Sequence, residues 1–243
     1  MRRLLPDPAK DQVDIDEAYL VESPGRSYVR GNMVSSVDGA AQAEGRSGGL
    51  SGPTDKKIFA ALRDHADVIL AGASTVRVER YGGHRPSARR QEWRTARGMP
   101  PLPTMAVLSR SCDFDPEAPF FTDQDVRPIV ITQKSAPAHR VDALRDRADI
   151  IVAGDGDVDL PAALGELADR GLHHLLCEGG PNLLSHIVAA GQLHELCLTL
   201  SPLLFAGPAT RILDGPLLGA PEHLTLHQVL EDDGYLFLRY LRR

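Results

Sequence analysis

The chain has few cysteines and aromatics, no long apolar run and no surplus of positive charge, and each shortage removes a class of function. The cysteines are Cys112, Cys177 and Cys197, an odd number without C-x-x-C spacing. That argues against a disulfide framework and a cysteine-ligated zinc cluster, and it suits a reducing compartment. No segment reaches the apolar length that spans a bilayer. The opening MRRLLPDPAKDQVDIDE meets prolines and acids before a signal-peptide core can form, so the expected location is cytoplasmic, with no membrane partner. With 27 Lys and Arg against 33 Asp and Glu, and the arginines scattered among acids, there is no basic stripe, and no nucleic-acid partner is expected. His194-Glu195 lacks the second histidine of H-E-x-x-H, and His173-His174 has no ligand spacing, so no metal is expected. Ser35 and Ser36 lie in no G-x-S-x-G elbow. Neither G-x-G-x-x-G nor a P-loop occurs, so a dinucleotide or nucleotide bound here needs another kind of fold.

What is present is enough for a full core: 243 residues, 42% of them hydrophobic. Residues 1–26, rich in Pro, Asp and Glu without periodicity, are expected to be an N-terminal arm, and 27–243 a single domain. YVRGNMVSSVDG has strand character and ends in an Asp38-Gly39 turn. The loop AEGRSGGLSGPTD is flexible enough to act as a lid, and a helix is expected from Pro53 or Thr54 to His65. ADVILAG, TMAVLS, RPIVIT, DIIVAG, HHLLCE and ELCLTLS read as strands separated by helices, with GYLFLRYL last; residues 80–103 read as a long polar surface connection. Strand–helix alternation with a helix-poor finish implies a mostly parallel α/β sheet completed by antiparallel strands.

Ligands of open α/β sheets bind beyond the carboxyl ends of strands, where a following helix presents free N–H groups to phosphate. Two segments have that form. DVILAGAST ends a strand at Gly72, with Ser74 and Thr75 opening a helix; LLCEGGPNLL ends one at Glu178, with Gly179 and Gly180 removing side chains before Pro181 and Asn182. Either one is also an ordinary strand-to-helix turn; the pair is more informative. Ser109 and Arg110, closing TMAVLS, suit a 2′-phosphate, although an exposed turn arginine is the commoner explanation. For proton chemistry the candidates are Asp38 and Glu178. A carboxyl in an apolar setting has a raised pKa and can donate or relay a proton, while Asp38 also fits a simple Asx turn.

NMVSSVDGAA, SGGLSGPTDKKIFAALRDHADVILAGASTV, LLCEGGPNLL and AGQLHELCLTLSPLLFAG occur in the order found in the reductase domain of the RibD type, and from about Tyr28 to Tyr240 the chain resembles that family. The resemblance implies a dihydrofolate-reductase-like three-layer α/β fold and NADPH-dependent reduction of 5-amino-6-(5-phosphoribosylamino)uracil, opening the ribose to a ribityl chain in riboflavin biosynthesis. It places NADPH across Gly72, Ser74, Thr75, Ser109, Arg110, Gly179, Gly180, Pro181 and Asn182. Asn32, Ser35 and Asp38 would face the substrate, and Gly49, Leu50 and Ser51 would lie in the loop closing over it. Asp38 or Glu178 would assist the proton transfer. The H-x-E and P-C-x-x-C motifs of the zinc deaminase found in bifunctional members are absent, so the reduction alone is implied. The family's acidic-acidic-Pro stretch is replaced by ERYGGHRPS, leaving Arg80 or Arg85, with Arg63, to meet a ribosyl phosphate. A dihydrofolate reductase, a related pterin or pyrimidine reductase, and a non-catalytic NADPH-binding sensor are the competing readings. The apolar C-terminal strands leave an edge that an isologous homodimer would cover.

Overall fold

A computed structural model describes residues 1–21, 27–43 and 45–243. In chain order its elements are β1 (Arg2–Leu5), α1 (Ile15–Tyr19), β2 (Tyr28–Ser36), α2 (Pro53–Asp64), β3 (Val68–Gly72), α3 (Ala73–Val78) and α4 (Ala88–Thr95). Then come β4 (Thr104–Leu108), α5 (Pro119–Thr122), β5 (Ile129–Thr132), α6 (Ala138–Leu144), β6 (Asp149–Val152), α7 (Leu160–Asp169) and β7 (His174–Cys177). The chain finishes with α8 (Pro181–Ala189), β8 (Glu195–Ser201), β9 (Leu224–Asp232) and β10 (Tyr235–Arg242). By packing it forms two compact units. One combines the N-terminal segment carrying β1 and α1 with Val29–Leu62 and Pro181–Arg243; the other is centred on Arg63–Gly180.

In the Arg63–Gly180 unit the strands lie in the order β7-β3-β4-β5-β6, and every neighbouring pair is parallel. Parallel strands joined by helical crossovers are covered on both faces, which demands continuous apolar runs rather than alternation. VILA of β3 and IVIT of β5 are buried at every position. Asp159 caps α7 by accepting from the Ala162 N–H at 3.0 Å, which ends the β6 loop and starts the helix.

Residues 80–103, expected as a surface connection, contain α4 and a fully buried Arg94. Its guanidinium donates to the carbonyls of Asp64 and Ala66, each at 2.7 Å, and of Pro100 at 2.8 Å. A polar segment thus packs inward because carbonyls left over at the end of α2 and before β3 need donors.

The other unit orders its strands β1-β9-β10-β8-β2. β2 and β8 run parallel, Arg30 opposite Glu195 through Ser36 opposite Ser201, and the remaining pairs are antiparallel. The α/β class with parallel strands and an antiparallel C-terminal finish is the one expected. β9, whose Thr225, Leu226 and His227 are exposed, was not anticipated. It joins β10 through Asp233 and Gly234 at φ 50° and 80°, the left-handed pair that a two-residue hairpin turn needs. The open edge expected beside the C-terminal strands is occupied by β1, with Arg2 opposite Glu231.

The segment expected as an arm therefore contributes a strand and a helix; its residues 22–26 lie outside the described residues, as does residue 44 of the glycine-rich loop. The helix is held from below by charge. Glu195 is fully buried and accepts from Arg30 Nε at 2.9 Å and Arg239 Nε at 2.6 Å. The two guanidiniums also donate to the Tyr19 and Ala18 carbonyls at the end of α1, and Arg239 lies over the Tyr19 ring. Burial alone would raise the Glu195 carboxyl, but the two arginines overcome it and hold the pKa at about 2.

Candidate active site

In the Arg63–Gly180 unit the predicted glycine turns come together. Gly72, the last residue of β3, donates its N–H to the Gly179 carbonyl at 2.7 Å, and Glu178 donates its own to Leu70 O at 3.0 Å. The Gly179–Gly180 peptide is cis. A Cβ added at Gly180 would lie 3.0 Å from Thr75 Oγ1, so the missing side chain leaves bare backbone beside the first turn of α3. Ser74 is exposed there and Thr75 half-buried. Ser109 is buried at the end of β4, its Oγ accepting from the Cys112 N–H at 3.1 Å. The Arg110 side chain is exposed and makes no ion pair among the described residues. Pro181 and Asn182 open α8 in the other unit, where Asn182 Nδ2 donates to Asp214 O at 3.2 Å.

Glu178 is buried, yet its setting is not the apolar one expected of a strand of leucines. Arg63 grips it with two bonds, Nε to Oε1 at 2.6 Å and Nη2 to Oε2 at 2.7 Å, and the Tyr81 hydroxyl donates to Oε2 at 2.6 Å. Burial lowers the Arg63 pKa, but the Glu178 charge more than reverses this and leaves the guanidinium above the usual arginine range. Burial, then the Glu178 charge, pushes the Tyr81 phenol well up, so it stays a neutral donor. Arg63, expected at a pocket mouth for phosphate, is thus committed to Glu178. Arg85 is committed as well, to Asp125 at 2.5 Å and Asp123 at 2.8 Å on the surface. Arg80 is exposed, sits in the left-handed region at φ 52°, and makes no ion pair among the described residues.

In the other unit, Asn32 and Ser35 are three apart in an unbroken strand. Side chains alternate along a strand, so they face opposite sides of β2 and not, as expected, one ligand together. Ser35 is buried and spends its hydroxyl on the Ser36 carbonyl at 2.9 Å. Gly49 is exposed, Leu50 is fully buried, and Ser51 donates to Asp55 Oδ2. Asp55 is buried and accepts from Thr199 Oγ1 at 2.6 Å as well. Asp38 is exposed, accepting from Ser36 Oγ at 2.5 Å and from the Phe205 and Ala206 N–H groups at 3.0 and 2.7 Å. The Ser36 hydroxyl, and then those N–H groups, hold its pKa below the ordinary aspartate value. Three donors on one carboxylate favour its ionised form, which suits an acceptor that fixes neighbouring backbone.

Sequence reasoning missed Tyr81, Asp55 and the Arg30–Glu195–Arg239 triad. A charged residue within an apolar strand, as Arg239 is in YLFLRYL, was a signal of the triad that went unread. Tyr81 had none, because its partner is 97 positions away.

Against known proteins, the model of the RibD C-terminal domain matches residues 27–236. A protein of Methanothermobacter thermautotrophicus named 2,5-diamino-6-ribosylamino-4(3H)-pyrimidinone 5′-phosphate reductase is 30% identical, over 77% of this chain and 83% of its own. A protein of Archaeoglobus fulgidus with the same name is 29% identical, over 75% and 83%. Among solved structures, a pyrimidine reductase-like protein of Corynebacterium diphtheriae superposes with a TM-score of 0.85 at 27% identity, over 95% of this chain and 99% of that one. The strand order, the paired glycine turns and the match over most of the length agree: the chain belongs to the RibD C-terminal domain family.

Proposed function

We propose that the protein is an NADPH-dependent reductase of a 6-(5-phosphoribosylamino)pyrimidine in riboflavin biosynthesis, and the bare backbone of Gly179 and Gly180 beside Thr75 is the observation that carries the cofactor part. A phosphate needs close approach to backbone without intervening side chains, and this turn offers it; the Gly72 N–H is already given to Gly179 O and the Gly179 N–H to Cys177 Sγ at 3.4 Å. Gly72, Ser74, Thr75, Gly179 and Gly180 would hold the phosphates, with Ser109 and Arg110 at the 2′-phosphate. Bound there, NADPH supplies the hydride that reduces ribosyl C1′, the C1′–O4′ bond breaking and O4′ taking a proton. Glu178 fixes Arg63 and Tyr81 as one rigid group at the end of β7, and Arg80 remains available for the substrate phosphate.

The archaeal relatives are named for a ring that keeps its 2-amino group, whereas the deaminated uracil was expected. Purified protein should oxidise NADPH with one of these two pyrimidines and not with dihydrofolate, followed by absorbance. Turnover of dihydrofolate alone would reassign the enzyme; silence with all three would remove the reading. Arg110→Ala should raise KM for NADPH about tenfold while leaving NADH unaffected, since a charge-assisted bond to the 2′-phosphate is lost; equal effects on both cofactors would take Arg110 out of that role. A homodimer is proposed through the exposed Leu217 and Leu226, and light scattering tests it.

A further inference from the structure

The turn after β2 and the loop after β8 are stitched together at the carboxyl ends of two parallel strands, the end where α/β proteins bind ligands. Val37 N–H donates to Leu203 O at 3.1 Å and Ala41 N–H to Thr210 O at 2.9 Å. Between these bonds lies the Asp38 carboxylate. Oδ1 takes the Ser36 hydroxyl, and Oδ2 takes two successive N–H groups, of Phe205 and Ala206. The Ser36 Oγ in turn accepts from the Ala40 N–H at 2.9 Å. Ala206 sits at φ 56°, a left-handed conformation that is unfavourable for an alanine, so the loop needs an outside anchor to keep this shape. The anchored tip is apolar and wet: Leu203, Leu204 and Phe205 are 38%, 77% and 43% exposed, beside Val37 at 64%.

We propose that Asp38 is a positioning residue that locks the Leu203–Ala206 loop in place as an apolar wall for the pyrimidine ring of the substrate. The inference rests on the reductase reading above. It accounts for a carboxylate with three donors and no proton, and for apolar side chains held on a fixed backbone at the ligand-binding end of β2 and β8. Asp38 then acts on substrate binding and leaves proton transfer untouched.

Asp38→Ala and Asp38→Asn separate the two roles. An asparagine keeps one oxygen for the Phe205 and Ala206 N–H groups and can donate to Ser36 Oγ, but it cannot exchange a proton at neutral pH. Asp38→Ala should raise the KM for the pyrimidine about tenfold or more, with kcat within about threefold of the parent and an unchanged pH profile of kcat. Asp38→Asn should recover most of that KM. Amide hydrogen exchange, which needs no substrate, should quicken at residues 203–210 in Asp38→Ala and stay slow elsewhere, showing that the variant is folded. Unchanged exchange at 203–210 would overturn the proposal, as would a loss of about a hundredfold in kcat in Asp38→Asn with a limb missing from the pH profile. If the parent protein turns over no pyrimidine, the reductase reading fails, while the exchange result still decides whether Asp38 clamps the loop.

Discussion

Glu195→Gln is expected to destabilise the fold by about 3–5 kcal/mol, measured by urea unfolding, because it removes the buried carboxylate that two guanidiniums share. Both arginines are 7% exposed and the glutamate 0%, so water cannot replace the lost partner. The same guanidiniums hold the carbonyls that end α1, so the N-terminal helix should loosen with the triad, and protease should cut near it before the rest of the chain opens. A cost below about 1 kcal/mol would mean that water reaches the site. The pH dependence has a definite sign. The folded carboxyl titrates near 2, against about 4.3 for a free glutamate. A depressed folded pKa contributes stability in full above the unfolded value and loses it as pH falls through the folded one. Acid should therefore weaken the parent protein between about pH 4.5 and 2, while this contribution is absent from Glu195→Gln.

Glu178→Gln should lower kcat/KM for pyrimidine reduction by about a hundredfold, the effect of displacing a positioned group by about an ångström. The amide keeps one acceptor oxygen but has no charge for Arg63, and it cannot accept both guanidinium bonds and the Tyr81 hydroxyl together. Tyr81→Phe removes only one of the three bonds and should cost about tenfold or less. Melting curves separate a lost site from a lost fold, since a half-buried pair contributes to both. If Glu178→Gln turns over within about threefold of the parent, the Arg63–Glu178–Tyr81 group is a structural brace and stands outside the chemistry.

Local signals were legible wherever a residue's job is decided by its neighbours in the chain. The apolar runs of β3 and β5, the Pro53 start of α2 and the glycine turns at Gly72 and Gly179 all follow from periodicity and backbone freedom within a few residues. Partnership was not legible. Glu178 in a run of leucines looked like an isolated carboxyl, and only folding brings Arg63 and Tyr81 onto it. Asp38 looked equally like an acid catalyst or a turn former, and the two N–H groups it accepts from belong to Phe205 and Ala206, 167 and 168 residues further on. Arg94 sat in a segment polar enough to read as surface, because burial of a guanidinium depends on carbonyls that no window around it contains.

By itself the sequence determined the α/β class, the alternation of strand and helix, the family and the place of the two glycine turns. Each of these depends on short-range pattern or on motif order. Tertiary structure alone decided the partners of every carboxylate named, the pairing of β1 with β9, and which carboxylates Arg63, Arg85 and Arg239 bind. Those properties are set by charges and hydrogen-bond donors brought together across tens to hundreds of residues, and desolvation makes each of them depend on what surrounds it in space.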